Sequence, residues 1–283
     1  MSWPAASTLM SRLESRLPWP RRLRNAIDHW RLGRRLAGRK LLHAFAAEYP
    51  NAFFIEVGSN DGENADYLRP FILGQRWSGV MVEPVPYVFE RLRENYAGLD
   101  RIAFENVAIA DHDGVVPFYY LAEKEESEEL PTWYDAIGSL SPDVVKGSAV
   151  DPSFPDLERR LVSARVPCMT FESLCRKHGV ERLDLVLIDT EGYDHEVIRQ
   201  IDFTAHPPTL LVYEHFHFLP DQRADCRALL EREGYALMEE GLDTFCLRPT
   251  ANERLAHTWR QLNPALPGLS VHELRAMQDQ QGS

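Results

Sequence analysis

The sequence predicts an α/β fold in which a mostly parallel sheet is covered by helices on both faces. Short apolar runs that are typical of buried strands alternate with amphipathic, helix-like segments between residues 53 and 234. The first of these runs leads directly into a glycine-rich turn. At 283 residues, 44% of them hydrophobic, the chain is long enough for one large domain with additions.

The individual elements are predicted from the spacing of apolar residues and from turn residues. A helix is assigned where apolar side chains recur on one face, and Pro86 suits a first helical turn because no intrahelical N–H is lost there. A strand is assigned where bulky apolar residues follow one another. In chain order, the predicted elements are a helix at 34–48, strands at 53–58 and 77–84, a helix from 86, strands at 104–110 and 115–120, a helix at 170–178, a strand at 184–189, a helix at 193–201, a strand at 209–214, a helix at 221–233, and strands at 235–238 and 245–247.

Three segments lie outside the main domain, which is predicted over residues 51–249. Residues 1–50 hold ten Lys+Arg against three Asp+Glu and are interpreted as a basic helical extension, with peripheral contact to an anionic membrane or a partner as the alternative. Residues 122–168, rich in glutamate and proline, are predicted to be an insertion or lid. Residues 250–283 are predicted to be a C-terminal helical tail.

The composition limits the class of partner. The formal net charge of −12 argues against a nucleic acid, because phosphate binding needs a positive surface. A small acceptor that is uncharged or cationic fits better. The four cysteines show no CxxC pair or zinc-like spacing and are expected to be reduced. Because no run has the pattern of a signal peptide or a transmembrane segment, we expect a cytoplasmic protein.

The turn after the first strand, EVGSNDG, carries an acid and two glycines, Glu56, Gly58 and Gly62. Glycines let the backbone approach a ligand closely, and the N–H groups that follow, together with Glu56, can hydrogen-bond an amino-acid moiety. A dinucleotide fingerprint would need glycine at position 60, where this chain has Asn60. The turn therefore favours a ligand without a pyrophosphate.

Glu83 lies at the end of the second strand, 25 residues after Gly58. A carboxylate at this place can accept hydrogen bonds from the two hydroxyls of a ribose. Both S-adenosylmethionine and NAD contain such a ribose, so Glu83 alone fits either. Residues 106–108 leave the third strand at the height expected for an adenine ring.

The segment IDTEGYDHEV, residues 188–197, delivers Asp189 and Glu191 to the open end of a buried strand, and Gly192 lets the chain turn into a helix. Acids are seldom placed at the carboxyl end of a sheet for packing. We therefore predict that these two carboxylates lie at a functional site.

Taken together, FIEVGSNDG, MVEP, ENVAIAD and LVLIDTEGYDHEVI resemble the FkbM-type methyltransferases over residues 52–248. The resemblance implies a seven-stranded, Rossmann-like class I methyltransferase fold with an antiparallel last strand. It also implies methyl transfer from S-adenosyl-L-methionine to a hydroxyl of a small acceptor, such as a sugar, a glycan or a polyketide-like natural product. One departure is Glu56, where the family more often has Asp.

The resemblance also implies roles for individual residues. The glycine turn is expected to hold the methionine part of the cofactor, Glu83 the ribose and Ala108 the adenine. Asp189 and Glu191 are expected on the reaction side. The expected cofactor-binding residues are Glu56, Gly58, Ser59, Asn60, Asp61, Gly62, Glu83, Pro84, Asn106, Ala108 and Asp189.

Transfer to an alcohol needs a base that removes the proton of the acceptor, and histidine suits this task near neutral pH. In such a sheet the strand of YEHFHF should end beside the strand of Asp189. We predict His215 as the base, with Asp189 or Glu191 orienting it. His217 is the reserve base and an expected substrate-binding residue. Successive residues of a strand point to opposite faces of the sheet, so Glu214 and His215 can both reach one site only if the strand ends at about residue 213.

Two further features concern the part of the site where the acceptor would bind. Asp189 and Glu214 are two carboxylates that could hold Mg²⁺, in which case the ion rather than a histidine activates the hydroxyl. In the stretch AIGSLSPDVV, Ser139 and Ser141 are expected to bind the substrate as part of a cover over the active site. An ordinary polar loop is the alternative for this stretch.

Two other functions are compatible with the same motifs. An NAD-dependent oxidoreductase would share a Rossmann-like sheet, although the missing glycine and the paired strands around 235–247 disfavour it. A catalytically silent relative that binds S-adenosylmethionine would keep the same acidic and glycine positions. The motifs also leave open whether oxygen or nitrogen is methylated.

Overall fold

The computed structural model describes residues 36–271, apart from residues 65, 126, 127, 129, 131, 132 and 150–155. Most of the predicted basic extension and the end of the predicted C-terminal tail therefore lie outside the described residues. Within the described ranges, no helix is long and apolar enough to cross a bilayer.

The described chain alternates between strands and helices. The strands are β1 (Phe53–Val57), β2 (Ser78–Val82), β3 (Ile102–Glu105), β4 (Ala108–Ile109), β5 (Gly114–Leu121), β6 (Gly138–Ser139), β7 (Leu161–Met169), β8 (Leu185–Ile188), β9 (Leu210–Glu214), β10 (Ala236–Glu240) and β11 (Asp243–Leu247). The α-helices are α1 (Ala37–Glu48), α2 (Arg69–Gly74), α3 (Pro86–Asn95), α4 (Pro142–Ala149), α5 (Phe171–Lys177), α6 (Asp194–Ile198), α7 (Pro220–Arg232) and α8 (Glu253–Trp259).

A seven-stranded sheet forms the centre of the fold, in the order β10-β11-β9-β8-β1-β2-β3. Its strands run parallel, except that β11 is antiparallel to both of its neighbours. The predicted mostly parallel sheet with an antiparallel last strand is therefore confirmed. The carboxyl ends of β1, β2, β8 and β9 meet at one edge, where such sheets bind ligands.

Helices cover both faces of this sheet, as predicted. Successive residues of β1 point to opposite faces, so that Phe54 enters one core and Ile55 the other. The Phe54 core contains Phe45 of α1 and further side chains of α2, α3 and α8. The Ile55 core contains Leu174 of α5, Leu230 of α7 and further side chains of α6.

A second, four-stranded sheet has the order β4-β7-β5-β6. Its formation corrects two predictions. The predicted strand at 104–110 is divided, because the chain leaves the main sheet at Asn106, whose side-chain amide donates to the carbonyl oxygens of Glu83 and Pro84 at 2.8 and 3.2 Å. Residues 161–168, which the sequence placed in the insertion, instead pair with β5 as part of β7.

Glu240, at the end of β10, ties both ends of the described chain to the sheet. Its carboxylate accepts hydrogen bonds from the backbone N–H groups of Ala37 and Gly38 at the start of α1, at 3.0 and 2.8 Å. It accepts another from Ala265 at 2.6 Å. Since Leu36 provides no side-chain cap for α1, Glu240 takes over the role of a local helix cap.

The C-terminal strap, residues 267–271, runs beside the turn between β10 and β11. The backbone N–H of Gly241 donates to Pro267 at 3.2 Å, and its carbonyl oxygen accepts from Leu269 at 2.8 Å. The N–H of Val271 donates to the carbonyl oxygen of Phe216 at 2.8 Å. The strap therefore fixes the loop that follows β9.

We expect Glu240→Gln to lower the free energy of unfolding by about 2 kcal/mol. The amide keeps one acceptor oxygen but turns an NH₂ group towards backbone donors, so at least one buried N–H loses its charged partner. Urea unfolding followed by circular dichroism measures the difference. The control is Glu172→Gln, which changes a side chain that is 80% exposed and should cost less than about 0.5 kcal/mol. Equal losses in the two variants would contradict the role of Glu240.

Candidate active site

A cleft opens at the carboxyl ends of β1, β2 and β8. Its walls come from the turns that follow these strands and from residues of the second sheet, among them Ala108, Phe118 and Gly138. About 1090 Å³ of space, part of it open to solvent, lies between the walls.

The glycine turn, residues 58–62, folds over the end of β1. Gly58 has a φ of +85°, and its N–H donates to the carbonyl oxygen of Val82 at 2.9 Å. A Cβ atom at position 58 would lie 1.7 Å from the carbonyl oxygen of Asp189, so only glycine lets the ends of β1 and β8 approach so closely. The residues of this region that line the cleft are Glu56, Gly58, Ser59 and Asn60.

Glu83 joins the glycine turn to the start of α3. Its Oε2 accepts the N–H of Asn60 at 3.0 Å, and its Oε1 accepts the N–H of Val85 at 2.8 Å. Each oxygen keeps a further lone pair, and both Glu83 and Pro84 line the cleft. Burial raises the pKa of Glu83 from 4.5 to about 7, against the lowering effect of the two backbone hydrogen bonds.

Three of the expected cofactor residues shape the cleft without lining it. Asp61 accepts hydrogen bonds from two backbone N–H groups of the loop that follows it, at 2.9 and 2.8 Å. Gly62 has a φ of +65° and packs against Tyr96, where a Cβ atom would lie 2.4 Å from the ring. Asn106 holds the segment after β2, as described above. Ala108, by contrast, lines the cleft.

The acidic turn, residues 189–192, follows β8. Asp189 lines the cleft and is exposed there. Glu191 also lines it and has a φ of +52°, which is uncommon for a residue other than glycine. Asp194 is fully buried and accepts hydrogen bonds from the backbone N–H and the hydroxyl of Thr190, at 3.2 and 2.7 Å. The sequence analysis missed Asp194, for which the available signal was an acid in the first turn of a helix.

The histidines after β9 occupy different places. Because β9 continues to Glu214, alternation turns Glu214 and His215 to opposite faces of the sheet. His215 is fully buried, its Nδ1 lies 2.8 Å from the hydroxyl oxygen of Thr244, and it does not line the cleft. The structure thus places His215 outside the site for which it was predicted as the base. His217, the reserve, lies beside the acidic turn.

Glu191, Glu214 and His217 form the carboxylate–histidine cluster. The Nε2 atom of His217 lies 2.9 Å from Oε2 of Glu191 and 3.9 Å from Oε2 of Glu214. Of the predicted pair of metal ligands, Glu214 belongs to this cluster, and Asp189 does not. Burial, followed by the charges of Asp189 and Glu191, raises the pKa of Glu214 well above its usual range.

Ser139 and Ser141, which were predicted to bind the substrate as part of a cover, do not line the cleft. The buried hydroxyl of Ser139 donates to the carbonyl oxygen of Glu191 at 2.8 Å and accepts the N–H of Ser141 at 3.0 Å. Their neighbours Gly138 and Leu140 do line the cleft. Ser139, which was predicted to bind the substrate, therefore holds the acidic turn.

Tyr67 and Asp243 at the wall of the cleft were missed by the sequence analysis. The hydroxyl of Tyr67 donates to Oδ2 of Asp243 at 2.9 Å, and both residues line the cleft. Asp243 begins β11 and pairs in register with Glu214 of β9. Asp243 lies between the predicted strands at 235–238 and 245–247, and its place at this edge depends on the antiparallel pairing of β11 with β9.

The cleft is strongly acidic. Among the described residues that line it, none is Lys or Arg. Its buried atoms without a hydrogen-bond partner include Oε2 of Glu56 and Oδ1 of Asn60. Such a lining suits a cationic ligand with N–H donors and disfavours a pyrophosphate. The acids that line it are Glu56, Asp66, Glu83, Asp135, Asp189, Glu191 and Asp243.

Comparisons with known proteins identify a family and a relative. A model of the Methyltransferase FkbM domain matches residues 56–237. The 2-O-methyltransferase NoeI of Sinorhizobium fredii (strain NBRC 101917 / NGR234) is 27% identical over 152 residues, which make up 53% of this chain and 58% of that protein. The match thus spans less than two thirds of the relative.

Two solved structures are similar at low sequence identity. Methyltransferase FkbM from Methylobacillus flagellatus KT is 12% identical with a TM-score of 0.42, over 70% of this chain and 44% of that one. A methyltransferase from Geobacter sulfurreducens is 12% identical with a TM-score of 0.40, over 85% of this chain and 95% of that one.

Proposed function

Because the chain belongs to the FkbM methyltransferase family, we propose that it binds S-adenosylmethionine in the cleft and transfers the methyl group to a hydroxyl of a small, sugar-like acceptor. The observation that carries this proposal is the acidic cleft with Glu83 in its wall. Membership of a methyltransferase family also decides against the NAD-dependent oxidoreductase. The name of one relative, a 2-O-methyltransferase, supports oxygen as the acceptor atom.

The lining of the cleft fits both ends of S-adenosylmethionine. Glu83 has lone pairs left for the ribose hydroxyls, since each of its oxygens accepts one backbone N–H. The unpaired oxygens of Glu56 and Asn60 can accept hydrogen bonds from an ammonium group. Residues 107–109 provide apolar contact for an adenine ring.

The acceptor is proposed to enter beside the acidic turn. The cofactor, when bound, supplies a methyl group on a sulfonium. The acceptor oxygen forms a bond to this methyl carbon in line with the C–S bond that breaks, the thioether is the leaving group, and the oxygen loses its proton. The carboxylate–histidine cluster is the part of the chain that can receive this hydroxyl, and its histidine is His217. Ser139 and Asp194 keep the acidic turn in place through their hydrogen bonds to Glu191 and Thr190.

We expect Glu83→Gln to weaken the binding of S-adenosylhomocysteine by about ten- to 150-fold, or about 1.5 to 3 kcal/mol. The amide cannot replace an ionised carboxylate that accepts from two ribose hydroxyls. Calorimetric titration measures the affinity. Glu63→Gln removes the same charge from a 56% exposed side chain near the glycine turn, and it should change the affinity by less than about threefold.

The same titration should depend on pH. The pKa of Glu83 is raised to about 7, and ribose hydroxyls donate to its ionised form, so the affinity should rise with pH. Binding at pH 6 should be about tenfold weaker than at pH 8 in the wild type, and the dependence should be flatter in Glu83→Gln. Wild-type protein that does not bind S-adenosylhomocysteine at pH 8 would overturn the proposed function.

A further inference from the structure

The carboxylate–histidine cluster contains a buried oxygen that nothing in the described chain satisfies. Oε2 of Glu214 is buried and has no hydrogen-bond partner, and Glu214 as a whole is 8% exposed. Nε2 of His217 lies 3.9 Å from this oxygen, which is too far for a hydrogen bond. An unpaired carboxylate oxygen at this depth costs free energy unless a ligand satisfies it.

The donor atoms of the cluster have the spacing of a shared ion. One atom each from Glu191, Glu214 and His217 lies within 4.8 Å of the other two, and the shortest separation, from His217 to Glu191, is 2.9 Å. Around one cation with bonds of about 2.1 Å, neighbouring donors are about 3 Å apart and opposite donors about 4.2 Å apart. Small side-chain movements therefore bring all three atoms to one ion.

The charges of the cluster also favour the binding of a cation. Two carboxylates lie close together here, and the ion pairs that they form within the described ranges are both with His217. Asp189 and Asp243 add further negative charge from the cleft wall. A divalent ion neutralises Glu191 and Glu214 together, which a neutral imidazole does not.

We propose that the carboxylate–histidine cluster is a binding site for a first-row transition-metal dication, with Glu191, Glu214 and His217 as its protein ligands. The imidazole nitrogen favours an ion of the Mn²⁺, Fe²⁺ or Zn²⁺ kind over Mg²⁺, which prefers oxygen ligands. Of the three ligands, Glu191 also lines the cleft. The inference rests on the proposed function for what enters there.

In methyl transfer, the ion would bind the acceptor oxygen and lower the pKa of its hydroxyl, as metal ions do for bound water. The proton leaves to water, a lone pair of the oxygen forms the new C–O bond, and the C–S bond of the sulfonium breaks. No oxidant or further reactant is consumed.

The test is a titration of Mn²⁺ into the metal-stripped full chain, followed by the electron paramagnetic resonance signal of free Mn²⁺. We expect one Mn²⁺ per wild-type chain. Glu214→Gln and His217→Ala should each weaken binding by at least about tenfold, since even loss of outer-shell partners has effects of this size. Asp243→Asn removes a nearby charge without removing a ligand, and it should weaken binding by less than about threefold.

Two outcomes would overturn the metal site. One is that the wild type does not bind Mn²⁺ stoichiometrically. The other is that Asp243→Asn and Glu214→Gln weaken Mn²⁺ binding equally, which would indicate that the acidic residues attract cations without a specific site. Titration of S-adenosylhomocysteine in the presence of a chelator separates this proposal from the proposed function. If the cofactor product binds and Mn²⁺ does not, the methyltransferase proposal stands and His217 becomes the candidate base. If Mn²⁺ binds and the cofactor product does not, only the metal site stands.

Discussion

We expect Gly58→Ala to abolish binding of S-adenosylhomocysteine and to lower the free energy of unfolding by at least about 4 kcal/mol. The new methyl group would lie 1.7 Å from the carbonyl oxygen of Asp189. The methyl group would be attached directly to the backbone that follows β1, and the oxygen belongs to the backbone that follows β8. Since the main sheet holds both segments, β1 and β8 would have to separate at their carboxyl ends. That separation opens the cleft where the cofactor is proposed to bind.

Gly98→Ala is a matched control for this variant. Gly98 has a φ of +84°, almost the same as the +85° of Gly58, but a Cβ atom there meets nothing within 4 Å. Gly98→Ala should therefore lower the free energy of unfolding by only about 1 to 2 kcal/mol, which is the cost of an alanine in the left-handed conformation. It should leave the binding of S-adenosylhomocysteine unchanged. Urea unfolding and calorimetry measure both quantities. A similar loss of stability in the two variants would show that the close approach of the strands is unimportant.

We also expect the protein without ligand to become less stable as the pH rises from 5 to 8. Glu56, Glu83, Asp194 and Glu214 are buried, and burial raises the pKa of each. The folded chain therefore holds more protons than the unfolded chain in this range, and the free energy of unfolding falls with increasing pH. For Glu83, the rise from 4.5 to about 7 corresponds to about 3 kcal/mol.

The contribution of Glu83 is fully present below pH 4.5 and is lost as the pH rises through about 7. Urea unfolding at a series of pH values checks the trend. Glu83→Gln, which has no ionisable group at position 83, should lose less stability than the wild type between pH 5 and pH 8. Wild-type stability that increases across this range would contradict the prediction.

The fold was predictable where the pattern is local. β1, β2 and β8 are short runs of bulky apolar residues, and burial on both faces of a parallel sheet requires such runs. The second sheet was not predictable in the same way, because β4 is only two residues long, Ala108 and Ile109, and pairs with Cys168 and Met169. Local apolar spacing does not specify a pairing between residues so far apart in the chain.

The candidate site was likewise predictable only where the sequence pattern is local. Gly58 and Glu83 were identifiable because each follows a recognisable strand. His215 and Glu214 could reach one site only if β9 ended at about residue 213, whereas β9 continues to Glu214, so alternation turns the two side chains to opposite faces. Ser139 was expected to bind substrate because of the family resemblance. Its hydrogen bond to the carbonyl oxygen of Glu191, 52 residues away, could not be predicted, because a backbone oxygen is independent of the residue type.

The strap has a consequence for how the enzyme is made. The loop that carries His217 is held by the N–H of Val271 through the carbonyl oxygen of Phe216. During synthesis on the ribosome, the strands that form the glycine turn and the acidic turn emerge long before residue 271. The loop that carries His217 can therefore gain this hydrogen bond only after the glycine turn and the acidic turn have been synthesised.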